Sequence, residues 1–183
     1  FKEKWVYIDA NDAEFPIDRN DFSVTVDGKK ITFDCVFNAI HGTPGEDGLM
    51  QAYFELLGIP QTACDYYQAA LTFNKRDLLS VLKPYGIKTA TSYYLNKGDL
   101  IDTNAIVAKV SLPCFVKPNK AGSSFGISKV KTAAELPIAI EVAYKEDNEI
   151  IIESFLDGTE VSVGVINYKG EITVLPITEI VSE

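Results

Sequence analysis

Residues 35–48 read Cys35-Val36-Phe37-Asn38-Ala39-Ile40-His41-Gly42-Thr43-Pro44-Gly45-Glu46-Asp47-Gly48. The first six form a nearly continuous apolar run, which predicts a strand covered on both faces, as parallel strands are. A glycine-rich loop follows. Leu49, Met50, Tyr53, Phe54 and Leu57 then recur at helical spacing until Gly58 and Pro60 end the pattern. Residues 59–63 turn extended again. Strand, loop, helix and strand make a β-α-β unit, so the predicted class is α/β, with residues up to about 70 in a parallel-sheet domain.

The loop at 41–48 sits where ligands of open α/β sheets bind, beyond the carboxyl end of a strand. His41 is the only histidine in the chain. Glu46 and Asp47 suit a helix N-terminus, and the N–H groups there can meet a carboxylate. A capped helix start with a structural histidine accounts for the same residues.

Upstream, Trp5-Val6-Tyr7-Ile8 is a short strand-like run. Residues 22–33 place Asp27-Gly28 between two β-prone runs, the pattern of a tight hairpin. Downstream, Leu78, Leu79 and Leu82 mark a helix over 74–83, stopped by Pro84 and Gly86. A strand at 89–95 and a short helix at 104–110 come next. Residues 115–117 and 127–130 are strand-like runs flanking a Gly/Ser loop. Thr132 and Glu135 predict a capping box for a helix reaching Tyr144, with Pro137 in its first turns. Strands at 149–153, 160–166 and 171–176 complete the pattern.

Composition narrows the function classes. The chain has 183 residues, 46% hydrophobic and 23% charged, which is ordinary for a globular protein able to bury a core without disulfides. Its net charge is −9, and the 17 Lys and Arg are scattered, so no nucleic-acid footprint is present. An anion must therefore be held locally, by backbone N–H groups and a few lysines. Cys35, Cys64 and Cys114 fit neither a zinc site nor a disulfide framework and are expected to be buried, reduced thiols of a cytoplasmic protein. No run approaches the roughly 20 apolar residues of a membrane span. The chain begins without Met and stops after a strand-like run, and it is read as part of a larger polypeptide.

Three segments carry chemistry. In Lys117-Pro118-Asn119-Lys120-Ala121-Gly122-Ser123-Ser124-Phe125-Gly126 the two glycines permit close backbone approach to an anion. Ser123 and Ser124 add hydroxyl donors, and Lys117 supplies a compact positive charge at a strand end. A triphosphate needs such groups, although a plain turn-rich hairpin also explains them. In Ile150-Ile151-Ile152-Glu153-Ser154-Phe155-Leu156-Asp157-Gly158-Thr159-Glu160 an apolar strand ends in a carboxylate and an aromatic residue, and a second carboxylate opens the next strand. These can accept from an adenine amino group and ribose hydroxyls, while Phe155 and Leu156 cover a base; strand, turn, strand is the plainer alternative. Lys75 opens a helix, where a cation opposes the helix dipole, so a second use is indicated beside that of a solvated lysine.

In this order, the segments resemble the D-alanine–D-alanine ligases of the ATP-grasp superfamily. His41-Gly42-Thr43-Pro44-Gly45-Glu46-Asp47-Gly48 with Gln51 is similar to the family's His-Gly-x-x-Gly-Glu-Asp-Gly-x-x-Gln signature. Lys117-Pro118 with Gly122-Ser123-Ser124-Phe125-Gly126-Ile127-Ser128-Lys129-Val130 is similar to its phosphate loop, and 152–161 to its adenine and ribose segment. The likeness covers residues 33–183 well and 1–32 loosely. It implies an incomplete, Rossmann-like N-terminal domain over 1–71, the ATP-grasp small lobe over 72–157 and the start of the large lobe over 158–183, α+β in character. It further implies that Lys75 and Lys117 reach ATP phosphates and that Ser123, with Ser124 beside it in the loop, is catalytic near substrate and phosphate. By the same resemblance Glu153 accepts from the adenine amino group, Phe155 and Leu156 touch the base, Glu160 holds ribose, and His41 lies near the first D-alanine.

The implied reaction joins two D-alanines with ATP and Mg²⁺ (or Mn²⁺) for peptidoglycan precursor synthesis. A homodimer is implied by the family only. Two departures, Asn74 where the family has Asp and Ala121 where it has Gly or Glu, remove no phosphate ligand. The family's Gly-Gly-x-Ser-x-Glu segment, its arginine and its metal-binding Asp, Glu and Asn are not in these 183 residues. The metal ligands are expected beyond Glu183, and this stretch alone is expected to be inactive. A D-alanine–D-lactate or D-alanine–D-serine ligase, and a nucleotide-binding protein without turnover, stay open as alternatives.

Overall fold

The computed structural model describes residues 4–181; Ser182 and Glu183, the end of the expected large-lobe start, lie outside them. Four short strands open the chain: β1 (Val6–Ile8), β2 (Glu14–Asp18), β3 (Ser23–Val26) and β4 (Lys29–Ile31). They form an antiparallel meander in the order β1-β2-β3-β4. The β3–β4 turn falls at Asp27 and Gly28, whose φ values of 49° and 75° are what a two-residue hairpin of this twist requires.

Helix α1 (Leu49–Leu56) follows the loop at 41–48 and buries Met50, Gln51 and Phe54. Two further helices, α2 (Tyr66–Phe73) and α3 (Lys75–Leu82), are capped by the side chains of Asp65 and Asn74, each accepting from an N–H three residues on. The sequence patterns did not mark α2. The expected parallel strand at 35–40 is reduced to one parallel bridge, Val36 with Gln61. The β-α-β path is therefore present, but the strand is not buried on both faces: Phe37 is 79% and Ile40 47% exposed. An apolar run is buried only where neighbours pack on it, and among the described residues Gln61 is its only ladder partner. Two cysteines depart from expectation for the same reason. Cys35 and Cys64 are exposed, and only Cys114 is buried.

The second half holds the main core. Strands β5 (Ser92–Asn96), β6 (Cys114–Pro118), β7 (Ser128–Val130) and β8 (Glu149–Ser154) make an antiparallel sheet in the order β5-β8-β6-β7. Helices α4 (Thr103–Val110) and α5 (Leu136–Ala143) cover one side of it. Glu135 accepts from Thr132 Oγ1 and Lys131 N–H, but the predicted capping box does not form: no side chain caps the short 3₁₀ turn (Ala133–Glu135) that precedes α5. Beyond β8, the run predicted as one strand at 160–166 is split into β9 (Val161–Ser162) and β10 (Val165–Tyr168) around Gly164. β10 forms a hairpin with β11 (Glu171–Val174), and β9 pairs with β12 (Thr178–Glu179). No helix among the described residues is long and apolar enough to cross a membrane.

The register of the main sheet sorts its side chains by face. Leu95, Cys114, Val116, Val130, Ile150 and Ile152 join Ile106, Leu136 and Ile140 in the core under the helices. Because alternate residues point to opposite faces, Phe115, Lys117, Lys129 and Glu153 stand on the other side, with Phe115 paired to both Glu153 and Lys129. The apolar alternation that builds the core thereby sets out a polar face.

Candidate functional site

On that polar face Lys117 Nζ lies 2.8 Å from Glu153 Oε2. The lysine side chain is 27% and the glutamate 13% exposed, so the pair is shielded from water but reachable. Both line an open cavity of about 960 Å³ together with Phe155, Leu156, Glu160 and Lys129. Its far wall comes from Glu179, Ile180 and Val181, brought in by the β9–β12 pairing. Phe115 and Phe155 approach at a centroid distance of 6.1 Å, and the Lys129 ammonium sits 4.0 Å from the Phe155 ring centroid. Aromatic walls, two carboxylate acceptors and two cations together suit a nucleotide.

Lys75 approaches from α3. Its Nζ donates to the carbonyls of Asn119 (3.2 Å) and Ala121 (3.0 Å), at the start of the Gly/Ser loop. Burial, followed by the nearby Lys117 charge, holds its pKa below the usual lysine range. Lys75 lines a small adjoining cavity of about 230 Å³ with Glu46, Ala121 and Gly122 rather than the large one. An anion held between the two ammonium groups would relieve their repulsion.

The loop at 122–126 is held tightly for a segment of turns. Ser123 and Ser124 have φ values of 51° and 59°, and Gly126 has 69°. The left-handed conformation carries a backbone cost at the two serines, and the N–H groups of Phe125 and Ile127 are taken by the Gly122 and Ser124 carbonyls at 3.2 and 3.4 Å. Gly122 lies against Gly42 and Glu46, and a Cβ there would stand 2.7 Å from Glu46 Oε2. That same oxygen accepts from Gly42 N–H at 2.6 Å. The loop at 41–48 and the Gly/Ser loop, 80 residues apart in sequence, are thus in contact.

The structure brings Lys117, Glu153, Phe155, Leu156 and Glu160 into one cavity and sets Lys75 beside it. Ser123 and Ser124 are exposed on the loop and line neither cavity. His41 is exposed and lines a separate cavity of about 320 Å³ with Gln51 and Cys64. Among the described residues no group of three or more His, Cys, Asp or Glu is placed to hold a metal ion. Sequence reasoning missed Lys129, whose place over Phe155 follows only from the β6–β7 pairing. It also missed the buried Asn119 and the half-buried Arg76 of α3, which no local pattern marks.

Comparison with known proteins follows the same lines. The family description "D-ala D-ala ligase C-terminus" matches residues 81–183, and "D-ala D-ala ligase N-terminus" matches residues 6–64. A D-alanine--D-alanine ligase of Flavobacterium johnsoniae is 90% identical over the whole chain, which spans 57% of that protein's length. The crystal structure of D-alanyl-alanine synthetase A from Vibrio cholerae superposes with a TM-score of 0.82 at 25% identity, over 97% of this chain and 56% of that one. VanG D-Ala:D-Ser ligase from Enterococcus faecalis gives 0.78 at 34% identity, over 93% and 51%.

Proposed function

The chain belongs to the D-alanine–D-alanine ligase family, and we propose that it supplies the nucleotide-holding part of an enzyme that joins two D-alanines at the expense of ATP. The observation that carries this reading is the cavity shared by Lys117, Glu153, Phe155, Leu156 and Glu160. Its residue types match ATP group by group. Glu153 accepts from the adenine amino group, Glu160 accepts from ribose hydroxyls, and Phe155 with Leu156 covers the base. Lys117 and Lys75 neutralise the phosphates, with the Gly/Ser loop at 122–126 beside them. In this reading the chain divides near residues 71 and 157 into a substrate-side part, a small lobe and the start of a large lobe.

The chemistry runs through an acyl phosphate. The carboxylate of the first D-alanine attacks the γ-phosphoryl group and displaces ADP. The amine of the second then attacks the acyl carbon, and inorganic phosphate leaves with loss of the amine's proton. Phosphoryl transfer needs alignment and charge neutralisation more than covalent help, and fixed ammonium groups meet that need. Mg²⁺ bound with ATP would supply further charge neutralisation for the phosphoryl transfer, and no group of residues among those described is placed to hold it. Ser123, at the exposed tip of the loop, reaches substrate only if the loop closes, and closure would also keep water from the acyl phosphate. His41 faces the first D-alanine from the loop that Gly122 touches.

The likeness to a D-Ala:D-Ser ligase at 34% identity favours a second reading, in which the second substrate is D-serine. ADP release by the full-length protein, followed with D-alanine alone and then with D-serine or D-lactate added, separates the two. Release driven by D-alanine alone is expected. No release with any of the three overturns the ligase reading.

A further inference from the structure

Helix α3 begins at Lys75, and its first-turn N–H groups are all occupied from within the protein. Lys75 N donates to the Asn119 carbonyl at 3.3 Å, Arg76 N to Asn119 Oδ1 at 2.9 Å, and Asp77 N to Asn74 Oδ1 at 3.2 Å. No amide is left for an anion at this helix end, and with the Arg76 guanidinium turned to Asn96, Leu95 and Ile150 the Lys75 ammonium is the cation it offers. Asn119 is fully buried and reaches in the opposite direction as well. Its Nδ2 donates to Glu149 Oε2 at 2.8 Å and its N–H to the Glu149 carbonyl at 2.9 Å. The Asn119 carbonyl also accepts from Lys75 Nζ. One side chain and its own peptide groups therefore fasten the start of α3 to the root of the Gly/Ser loop and to β8. Arg76 braces the same joint, donating to Ile150 O at 2.5 Å and to Leu95 O.

We propose that Asn119 is a positioning residue for the reaction, aiming the Lys75 ammonium at the phosphate end of the nucleotide by clamping α3 to the loop it serves. This rests on the nucleotide reading given above and adds a residue to it. The physical need is plain. A lysine carries a compact point charge on a flexible stem, so where its Cα stands sets which positions the ammonium can reach. With Asn119 in place, that Cα is fixed by two hydrogen bonds to a single buried residue. Without its side chain, the N–H of Arg76 loses its acceptor and Glu149 Oε2 keeps only Lys120, so the start of α3 is held to the loop root by fewer bonds and its docking loosens.

The test uses the full-length protein and MgATP, with binding measured by competition against a fluorescent ATP analogue. Wild type is measured first: no binding would overturn the nucleotide reading itself. Given binding, N119A is expected to weaken MgATP about tenfold, while the KM for D-alanine stays within twofold. The effect must pass through Lys75, so N119A made on a K75A background is expected to weaken MgATP by less than twofold further. Equal weakening in both backgrounds, or none in the first, overturns the role of Asn119 and leaves the nucleotide reading standing. Should N119A fail to fold, N119D and the charge-conserving swap N119D/E149Q carry the test. The swap keeps the acceptor for Arg76 and restores the second hydrogen bond with donor and acceptor exchanged. N119D alone is expected to bind MgATP weakly and the swap to bind within threefold of wild type; equal weakness of the two overturns the proposal.

Discussion

Lys117 and Glu153 stand one diagonal step apart on adjacent antiparallel strands, and the lysine Nζ lies 2.8 Å from the glutamate Oε2. Cation and acceptor satisfy one another before any nucleotide arrives. On the proposed reading both must turn to new partners, the lysine to phosphate and the glutamate to the adenine amino group. Lys117→Ala in the full-length protein should raise the KM for ATP or lower kcat at least tenfold. It should also leave the largely buried Glu153 carboxylate short of a partner, a loss of about 1–3 kcal/mol. Steady-state kinetics and urea unfolding check the two effects, and unchanged kinetics would count against the nucleotide site.

The two glycines of the loop should fail differently when replaced. Gly126 has φ +69°, and a Cβ there would stand 2.8 Å from both Pro118 Cγ and Glu146 Cγ. Gly126→Ala should therefore cost at least about 1–2 kcal/mol from the backbone alone, read as a lower urea midpoint. At Gly122 the obstacle is Glu46 Oε2, 2.7 Å away. Gly122→Ala must push that carboxylate off Gly42 N–H, and ADP release should fall at least tenfold. In a Glu46→Ala background the same change should have much less effect; full additivity of the two would mean that the loops do not meet in solution.

Glu149 ties acid titration to the Asn119 joint. The hydrogen bond from Asn119, then that from Lys120, holds its pKa below the ordinary glutamate value of 4.5. A carboxyl with a depressed folded pKa stabilises the fold above its unfolded pKa, and that contribution disappears as pH falls through the lower folded value. Asn119→Ala should move the Glu149 titration, followed by ¹³C NMR of its carboxyl carbon, back up toward 4.5. An unmoved titration would show that the Asn119–Glu149 bond is not the main cause.

Ile152 faces the helices while its neighbour Glu153 faces the cavity, so the strand couples packing to the site. Ile152 is fully buried in the core cluster. Ile152→Ala should destabilise the protein by about 2–5 kcal/mol, and Ile152→Val by about 0.5–1.5 kcal/mol. Denaturant midpoints in that order are expected. A neutral Ile152→Ala would mean that α4 and α5 do not pack on this sheet.

Much of this protein is local in origin and so could be read along the chain. The Asp27-Gly28 hairpin, the ends of α1 and α3, and the strands on either side of the Gly/Ser loop follow from turn chemistry, capping and periodicity. That Lys117, Glu153, Phe155 and Glu160 are candidates for one site was legible too, because residue type and order mark them, and the structure gathers them around one cavity. What failed was burial. Phe37 and Ile40 are apolar enough for a buried strand, yet burial depends on neighbours that an apolar run cannot specify. Helix α2 escaped because its exposed aromatic face blurs the helical period.

By itself, then, the sequence determined where most turns, helix ends and strands of the second half fall and which residue types are on hand for an anion, since those properties depend on a few consecutive residues. Only the tertiary structure decided that Lys117 pairs with Glu153, that Lys129 rests on Phe155, and that Asn119 joins α3 to the loop. Those relations arise from strand register and helix docking between residues from about 26 to 43 positions apart. Register is fixed by packing the apolar face of the sheet against α4 and α5, so the polar face is arranged by interactions made on its opposite side.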